Sequence, residues 1–220
     1  MRVEVVERVL RANEALAEEV RATLDRAGVL AINVIGSPGS GKTAVLERTA
    51  ALLPSQVRLG VIEGDIATTR DAERMVRCGV PAVQIETRLV GNACHLDASM
   101  VRTALARVPL DQIEVLFVEN VGNLVCPAAY DLGEHLRVVV ASVPEGDDKA
   151  RKYPSTFAKA DAVILNKVDL LPYVDFSLTA FAAGLRQVST APIFPLSART
   201  GEGAAAWIEW IAGQRRVHQR

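Results

Sequence analysis

Cysteine and histidine are both scarce in this chain, three of each in 220 residues, and the cysteines Cys78, Cys94 and Cys126 lie far apart. They are too few for a disulfide framework and too scattered for a zinc knuckle, so a reducing compartment is the simpler reading. An excess of positive charge is also missing. The formal net charge is -1, which argues against a duplex-binding surface and gives no expectation of a nucleic-acid partner. No long hydrophobic run escapes interruption by charge at the start of the chain, where MRVEVVERVLRANEALAEEV sets Glu and Arg among its apolar residues. That pattern excludes a signal peptide and a membrane span, and the expectation is a cytoplasmic protein. Internal repeats and low-complexity linkers are absent too. What is present, 50% hydrophobic and 23% charged residues, is a globular composition, and the length suits one α/β domain over residues 1–220.

Apolar residues at helical spacing (Val5, Val6, Val9, Leu16, Val20, Leu24) predict an N-terminal helical segment at about 4–27, either one helix or two joined near Asn13, ending at Gly28. The run VLAINVI (29–35) is rich in β-branched residues and reads as a buried strand, followed by a helix over 43–52 that Pro54 stops. Further strands are predicted at 57–63, 81–85, 113–119, 136–143, 162–168 and 192–197. Helices are predicted between most of them, at 68–77, 95–108 and 176–188, with a last one from about Gly203 to Gln214. This alternation predicts an α/β fold: a mostly parallel sheet covered by helices on both faces, with ligands bound beyond the carboxyl ends of the strands.

GSPGSGKT (36–43) matches the phosphate-loop pattern G-x-x-x-x-G-K-S/T and stands where that pattern needs to be, after a strand and before a helix. Gly36, Gly39 and Gly41 let the chain turn so that backbone N–H groups, that of Ser40 included, converge on phosphates at a helix N-terminus. Lys42 is expected to reach the β- and γ-phosphates, and the Thr43 hydroxyl to ligate Mg²⁺. A lysine in the first helical turn is unfavourable unless an anion sits beside it, so the local cost itself argues for a ligand.

NKVD (166–169) closes a strand more than a hundred residues later. Asp169 can accept both the ring N–H and the exocyclic amine of guanine, Asn166 can pair with the opposite edge, and the Lys167 stem can lie over the base. Adenine offers Asp169 no matching donors, which would leave a carboxylate unpaired. Ser197 and Ala198 follow the next strand and can offer a backbone N–H to the guanine carbonyl. The expectation is therefore GTP and GDP rather than adenine nucleotides, with the first acidic candidates at the γ-phosphate being Asp65, as Mg²⁺ ligand or water-orienting group, and then Glu119. Glu63 stands at the same strand end as Asp65. Asp71, Glu73 and Asp97 read as ordinary acids of early helical turns, and none of Arg70, Arg74 and Arg88 stands out as an arginine finger.

Cys94 and His95 precede an amphipathic helix, and Cys126 follows Glu119 by seven residues. Thiolate and imidazole suit Zn²⁺ or Ni²⁺, yet one chain supplies three candidates where four are wanted, and a two-fold dimer would pool them. The plainer alternatives are a small buried cysteine, a helix-capping His95 and a Cys126 that only packs. Cys78, at a helix end, is read as structural.

With these motifs in place, the sequence resembles the HypB family, the nickel-inserting GTPases of nickel–iron hydrogenase maturation. The resemblance covers roughly 30–212 and runs through GSPGSGKT, EGDIATTRDAER, CHLDA, ENVGNLVCPA, EGDDK, KYP, NKVDLLPYVDF and TGEG, with Trp207 and Trp210 after it. It implies a P-loop GTPase with slow intrinsic hydrolysis that dimerises with nucleotide and binds nickel or zinc at the dimer interface. It also implies work with a small nickel and zinc chaperone that loads the hydrogenase large subunit. Carried over by position, the interface ligands would be Cys94, His95 and Cys126. This N-terminus has neither the clustered cysteines nor the histidine-rich tract of some members, so metal storage by that segment is not expected. TRLVGNACHL is bulkier than the glycine-dominated family loop, and Ala150 stands where proline is usual. Rival readings are a urease-type nickel GTPase, whose Cys-Pro-His motif is missing here, a GTPase chaperone of cobalamin enzymes, and a nucleotide-gated metal-binding module with negligible hydrolysis.

Overall fold

The computed structural model describes residues 2–54, 56–65, 70–90 and 93–219. Seven strands form one sheet: β1 (Leu30–Gly36), β2 (Leu59–Asp65), β3 (Ala82–Glu86), β4 (Val115–Glu119), β5 (Leu136–Ser142), β6 (Ala162–Asn166) and β7 (Ile193–Pro195). Their order is β3-β2-β4-β1-β5-β6-β7, and every ladder is parallel. The helices are α1 (Arg2–Ala27), α2 (Lys42–Leu52), α3 (Arg70–Arg77), α4 (Ala98–Leu105), α5 (Lys149–Lys152), α6 (Pro154–Ala158), α7 (Leu178–Arg186) and α8 (Ala204–His218). This is the predicted α/β architecture, a parallel sheet flanked by helices as in P-loop nucleoside triphosphatases.

The two-residue period of the strands sorts the core into layers. Leu30, Ile32 and Val34 of β1 face α2, α3 and α8, where Val45, Leu46, Met75, Trp207 and Ile211 complete one apolar cluster. On the opposite face Ala31 joins a cluster with Val20 and Leu24 of α1 and Val101 and Leu105 of α4. Ile35 joins a third cluster with Phe157 and Phe181. Asn33 lies between these last two, fully buried. The chain leaves β1 towards β2 and β3, returns through β4, and continues on the other side with β5. The switch places a crevice at the carboxyl end of β1, where such sheets take ligands.

The predicted first helix is one continuous α1, closed by Gly28 at φ 66, without a break at Asn13. Its side chains at Val5 and Val6 lie outside the described residues, and Val9 is 50% exposed rather than part of the buried stripe. Thr68 and Thr69, the first residues of the predicted 68–77 helix, also lie outside the described residues. The strand predicted to reach Val168 stops at Asn166, because Lys167 takes a left-handed conformation (φ 64) and a 3₁₀ helix follows. No described helix is long and apolar enough to cross a membrane.

Candidate functional site

The phosphate loop joins β1 to α2 and wraps over the carboxyl end of the sheet. Gly41 opens α2 in a left-handed conformation (φ 92), and a Cβ there would collide with Asn166 Nδ2, so a side chain at this position would strain the backbone and displace the Asn166 amide. Lys42 is buried and donates from Nζ to the Gly36 carbonyl at 3.2 Å. The Thr43 hydroxyl donates to Glu119 Oε1 at 2.9 Å. A cleft of about 370 Å³ runs from Gly39 and Gly41 past Lys42 and Thr43 to Glu63, Asp65, Asp71, Arg74 and Glu119.

Glu63 belongs to this site although its position in the sequence did not single it out. It pairs directly with Glu119 in the β2–β4 register, and both carboxyls point to the α2 side of the sheet. Glu63 is 2% exposed and Glu119 5%, and Glu63 Oε1 and Glu119 Oε2 have no hydrogen-bond partner. Burial, and then the charge of Glu119, pushes the Glu63 pKa up to about 10. Burial also raises that of Glu119, against the pull of Lys42 and the Thr43 hydroxyl. Buried carboxyls with free oxygens next to a P-loop threonine fit a hard divalent cation that prefers oxygen ligands. Ser40 Oγ is likewise buried and unpartnered at the phosphate loop. Arg74 is held by Glu47 at 2.6 Å and Asp71 at 3.0 Å; Arg88 is exposed and pairs with Glu86. The side chain of Arg70 lies outside the described residues.

The second nucleotide motif lies across the phosphate loop. Asn166 donates from Nδ2 to the Ser40 carbonyl at 2.9 Å, while its Oδ1 accepts the N–H groups of Lys167 at 2.8 Å and Ala198 at 3.1 Å. It therefore staples the phosphate loop to the NKVD turn and to the segment of Ser197 and Ala198. The Ala198 N–H, expected to face the guanine carbonyl, is already engaged with Asn166. Lys167 reaches over the loop to the Gly39 carbonyl at 2.6 Å. Asp169 is half-buried with Arg199 Nε at 3.5 Å, and the buried Ser197 hydroxyl accepts the Thr200 N–H.

Cys94, His95 and Cys126 come together from two loops, with their ligand atoms within 4.8 Å of one another. Cys94 Sγ lies 3.7 Å from His95 Nδ1, and the His95 ring stacks on Tyr130 at 3.9 Å. The neighbouring Cys126 thiol, and then burial, raises the Cys94 pKa, while burial lowers that of His95 against the pull of Asp97. The imidazole is thus poised neutral as a ligand, and a metal would have to displace the thiol proton. His95 does not cap α4; Asp97 does, accepting the Met100 N–H at 2.9 Å. Cys126 opens a 3₁₀ turn with Pro127 buried behind it, and the exposed Cys78 stands apart from the other two. Asn123 ties this region to the phosphate loop: it bridges Gly36, and its amide donates to the Cys94 carbonyl at 3.4 Å.

Asp25, His135 and His218 also bring three ligand atoms within 4.8 Å. The Ala31 N–H donates to His135 Nδ1 at 2.8 Å, so the ring proton sits on Nε2, 3.0 Å from Asp25 Oδ1. A neutral imidazole ligates through its proton-free nitrogen, and here that nitrogen is occupied by the backbone. This cluster clasps the ends of α1 and α8 to β1. A cavity of about 370 Å³ between α1 and β5 is lined by charges that pair with one another, Arg21 with Asp131 and Arg137 with Glu134.

The model of the CobW/HypB/UreG nucleotide-binding domain matches residues 30–195. The hydrogenase maturation factor HypB of Azotobacter vinelandii is 50% identical over 215 residues, covering 96% of this chain and 69% of that protein. Among solved structures, HypB from Helicobacter pylori in complex with nickel superposes with a TM-score of 0.89 at 37% identity, covering 95% of this chain and 97% of that one. HypB from Archaeoglobus fulgidus superposes with a TM-score of 0.86 at 39% identity, covering 94% and 100%.

Proposed function

The chain belongs to the HypB family of hydrogenase maturation factors, and from that premise we propose that it is a slow GTPase that carries nickel and releases it according to the nucleotide bound. One observation carries this reading: a single segment, 119–126, has the Thr43-bound carboxylate Glu119 at one end and, at the other, Cys126, clustered with Cys94 and His95.

GTP is the substrate. Its phosphates take the backbone N–H groups of the loop from Gly36 to Thr43, and Lys42 exchanges the Gly36 carbonyl for the β- and γ-phosphates. Asp169 accepts the two guanine donors, the free amide hydrogen of Asn166 reaches the other edge of the base, and Ser197 and Ala198 flank the carbonyl. Thr43, Asp65 and Glu119, with Glu63 behind them, would hold magnesium, which when bound neutralises charge on the phosphates. Asp65 or Glu119 orients the attacking water. Hydrolysis is thus positioning and electrostatics, at a pace suited to a timer.

Nickel is the cargo, and zinc fits the same donors. Cys94, His95 and Cys126 supply three ligands per chain, so a GTP-dependent homodimer that pairs two triads completes the shell. Val125, 61% exposed beside Cys126, suits such a contact. The partners that follow from the family are the small nickel and zinc chaperone of hydrogenase maturation and, through it, the hydrogenase large subunit. Phosphate release from GTP by the purified protein, with Lys42→Ala as control, tests the hydrolase claim. Turnover well above the control is expected. Equal rates would leave the second reading, a nucleotide-gated metal-binding module.

A further inference from the structure

Two asparagines interrupt what would otherwise be continuous apolar faces of the central strands: Asn33 in β1, 0% exposed, and Asn120 just past β4, 1% exposed. A valine or leucine would pack there at no polar cost, whereas a buried amide must find partners. Both do. Asn120 Oδ1 accepts the Leu96 N–H and the Val121 N–H, each at 3.0 Å, and its Nδ2 donates to Asn33 Oδ1 at 3.3 Å. Asn33 Nδ2 donates onward to Glu134 Oε1 at 3.1 Å. Glu134 pairs with Arg137 at 2.6 Å, and Arg137 donates to the carbonyls of Ala128 at 3.3 Å and Tyr130 at 3.2 Å.

The ends of this network are the two segments that carry the metal triad. Leu96 directly follows His95. Ala128 lies in the turn that Cys126 opens, and Tyr130 is the ring on which His95 stacks. The middle of the network is fixed to the nucleotide cleft, because Asn120 follows Glu119 and the two side chains leave the strand on opposite faces. A shift of the strand end that moves Glu119 against Thr43 therefore moves Asn120 against Leu96. Packing gives Leu96 a second tie to the cleft: a Cβ on Gly64, between Glu63 and Asp65, would stand 2.8 Å from the Leu96 side chain, so a larger residue there would shift that leucine off β2.

We propose that Asn120, supported by Asn33, is the positioning residue that couples the nucleotide cleft to the Cys94, His95 and Cys126 triad. The inference rests on the reading above, in which the cleft takes GTP and the triad takes nickel. Coupling of this kind is a ratio of affinities, and it is reciprocal between the two ligands.

The experiment titrates nickel into the full chain bound to GDP and, separately, to a non-hydrolysable GTP analogue, following the thiolate-to-nickel charge-transfer absorption. In the unmodified protein the two nickel dissociation constants should differ by about 5- to 150-fold, the usual span of allosteric coupling. Asn120→Ala should bring that ratio close to one while the absorption band persists. Asn33→Ala, which leaves the Leu96 and Val121 bonds in place, should lower the ratio partway and covers the case that Asn120→Ala does not fold. A merely structural role would weaken nickel binding equally in both nucleotide states and leave the ratio alone. An unchanged ratio in the folded variants overturns the proposal and leaves the functional reading intact. A ratio of one in the unmodified protein overturns the proposal and, with it, nucleotide-dependent release of nickel, while both sites stand; absence of any nickel band in that protein overturns the nickel site itself and the proposal together.

Discussion

A carboxylic acid buried against a second one costs the nucleotide-free protein stability, and Glu63 is that residue. Its pKa, ordinarily 4.5, is pushed up to about 10 by burial and by Glu119. The folded chain holds this proton more tightly than the unfolded chain, so the contribution of Glu63 is most favourable below pH 4.5 and is lost as pH rises towards 10. Glu63→Gln keeps the shape and removes the loss. The melting temperature of the nucleotide-free variant at pH 8 should exceed the parent's by about 2–4 °C, the change expected for ~1 kcal/mol in a chain of this size. The difference should shrink at pH 5, and magnesium-dependent GTP affinity should fall. Equal melting curves at both pH values would mean that Glu63 carries no buried proton. Such residues also mark the limit of what sequence can tell. GSPGSGKT and NKVD were legible because each is contiguous, and Cys94, His95 and Cys126 because their chemistry is uncommon in this composition. Glu63 becomes a site residue only through its register with Glu119, although its two-residue spacing from Asp65 already puts both acids on one face of a strand. Asn33, a single amide inside VLAINVI, and Arg137, a single charge inside LRVVVASV, were the traces of the buried polar network.

Among the elements, the strands were legible because each is a short apolar run bounded by turn residues, and the parallel sense of the sheet followed from the alternation of strand and helix, whereas the strand order did not. The misses have local causes. At four and five residues, α5 and α6 are too short to display a helical period. The end of β6 depends on the left-handed backbone of Lys167, which no hydrophobic pattern records. The unbroken course of α1 past Asn13 has a tertiary reason: Asn13 is a buried clamp that accepts the Ala98 N–H at 2.9 Å and donates to the Asp131 carbonyl at 2.7 Å. It thereby fixes α1 to the start of α4, directly after the metal loop. Asn13→Ala should cost about 1–3 kcal/mol by leaving buried backbone groups unpaired, and it should weaken nickel binding as Leu96 and Asp97 loosen. Thermal unfolding and a nickel titration on the same preparation check both. Unchanged stability would mean that water replaces the lost bonds.

At the scale of the whole molecule, one chain is short of metal ligands. One chain brings three good ligands for nickel or zinc to one place, two of them thiols, and leaves a valine exposed beside them. Neither a tetrahedral nor a square-planar shell is complete on three donors. In the proposed function a second copy of the chain supplies the remainder, and because the segment that starts at Glu119 runs to Cys126, the nucleotide decides when the two copies meet. The most direct test is to measure bound nickel and molecular mass together, in GDP and in a non-hydrolysable GTP analogue. Roughly one nickel per two chains and a dimer's mass are expected with the analogue, weaker binding with GDP, and loss of the metal in Cys94→Ala. One nickel per monomer, indifferent to the nucleotide and to that substitution, would contradict the proposed function.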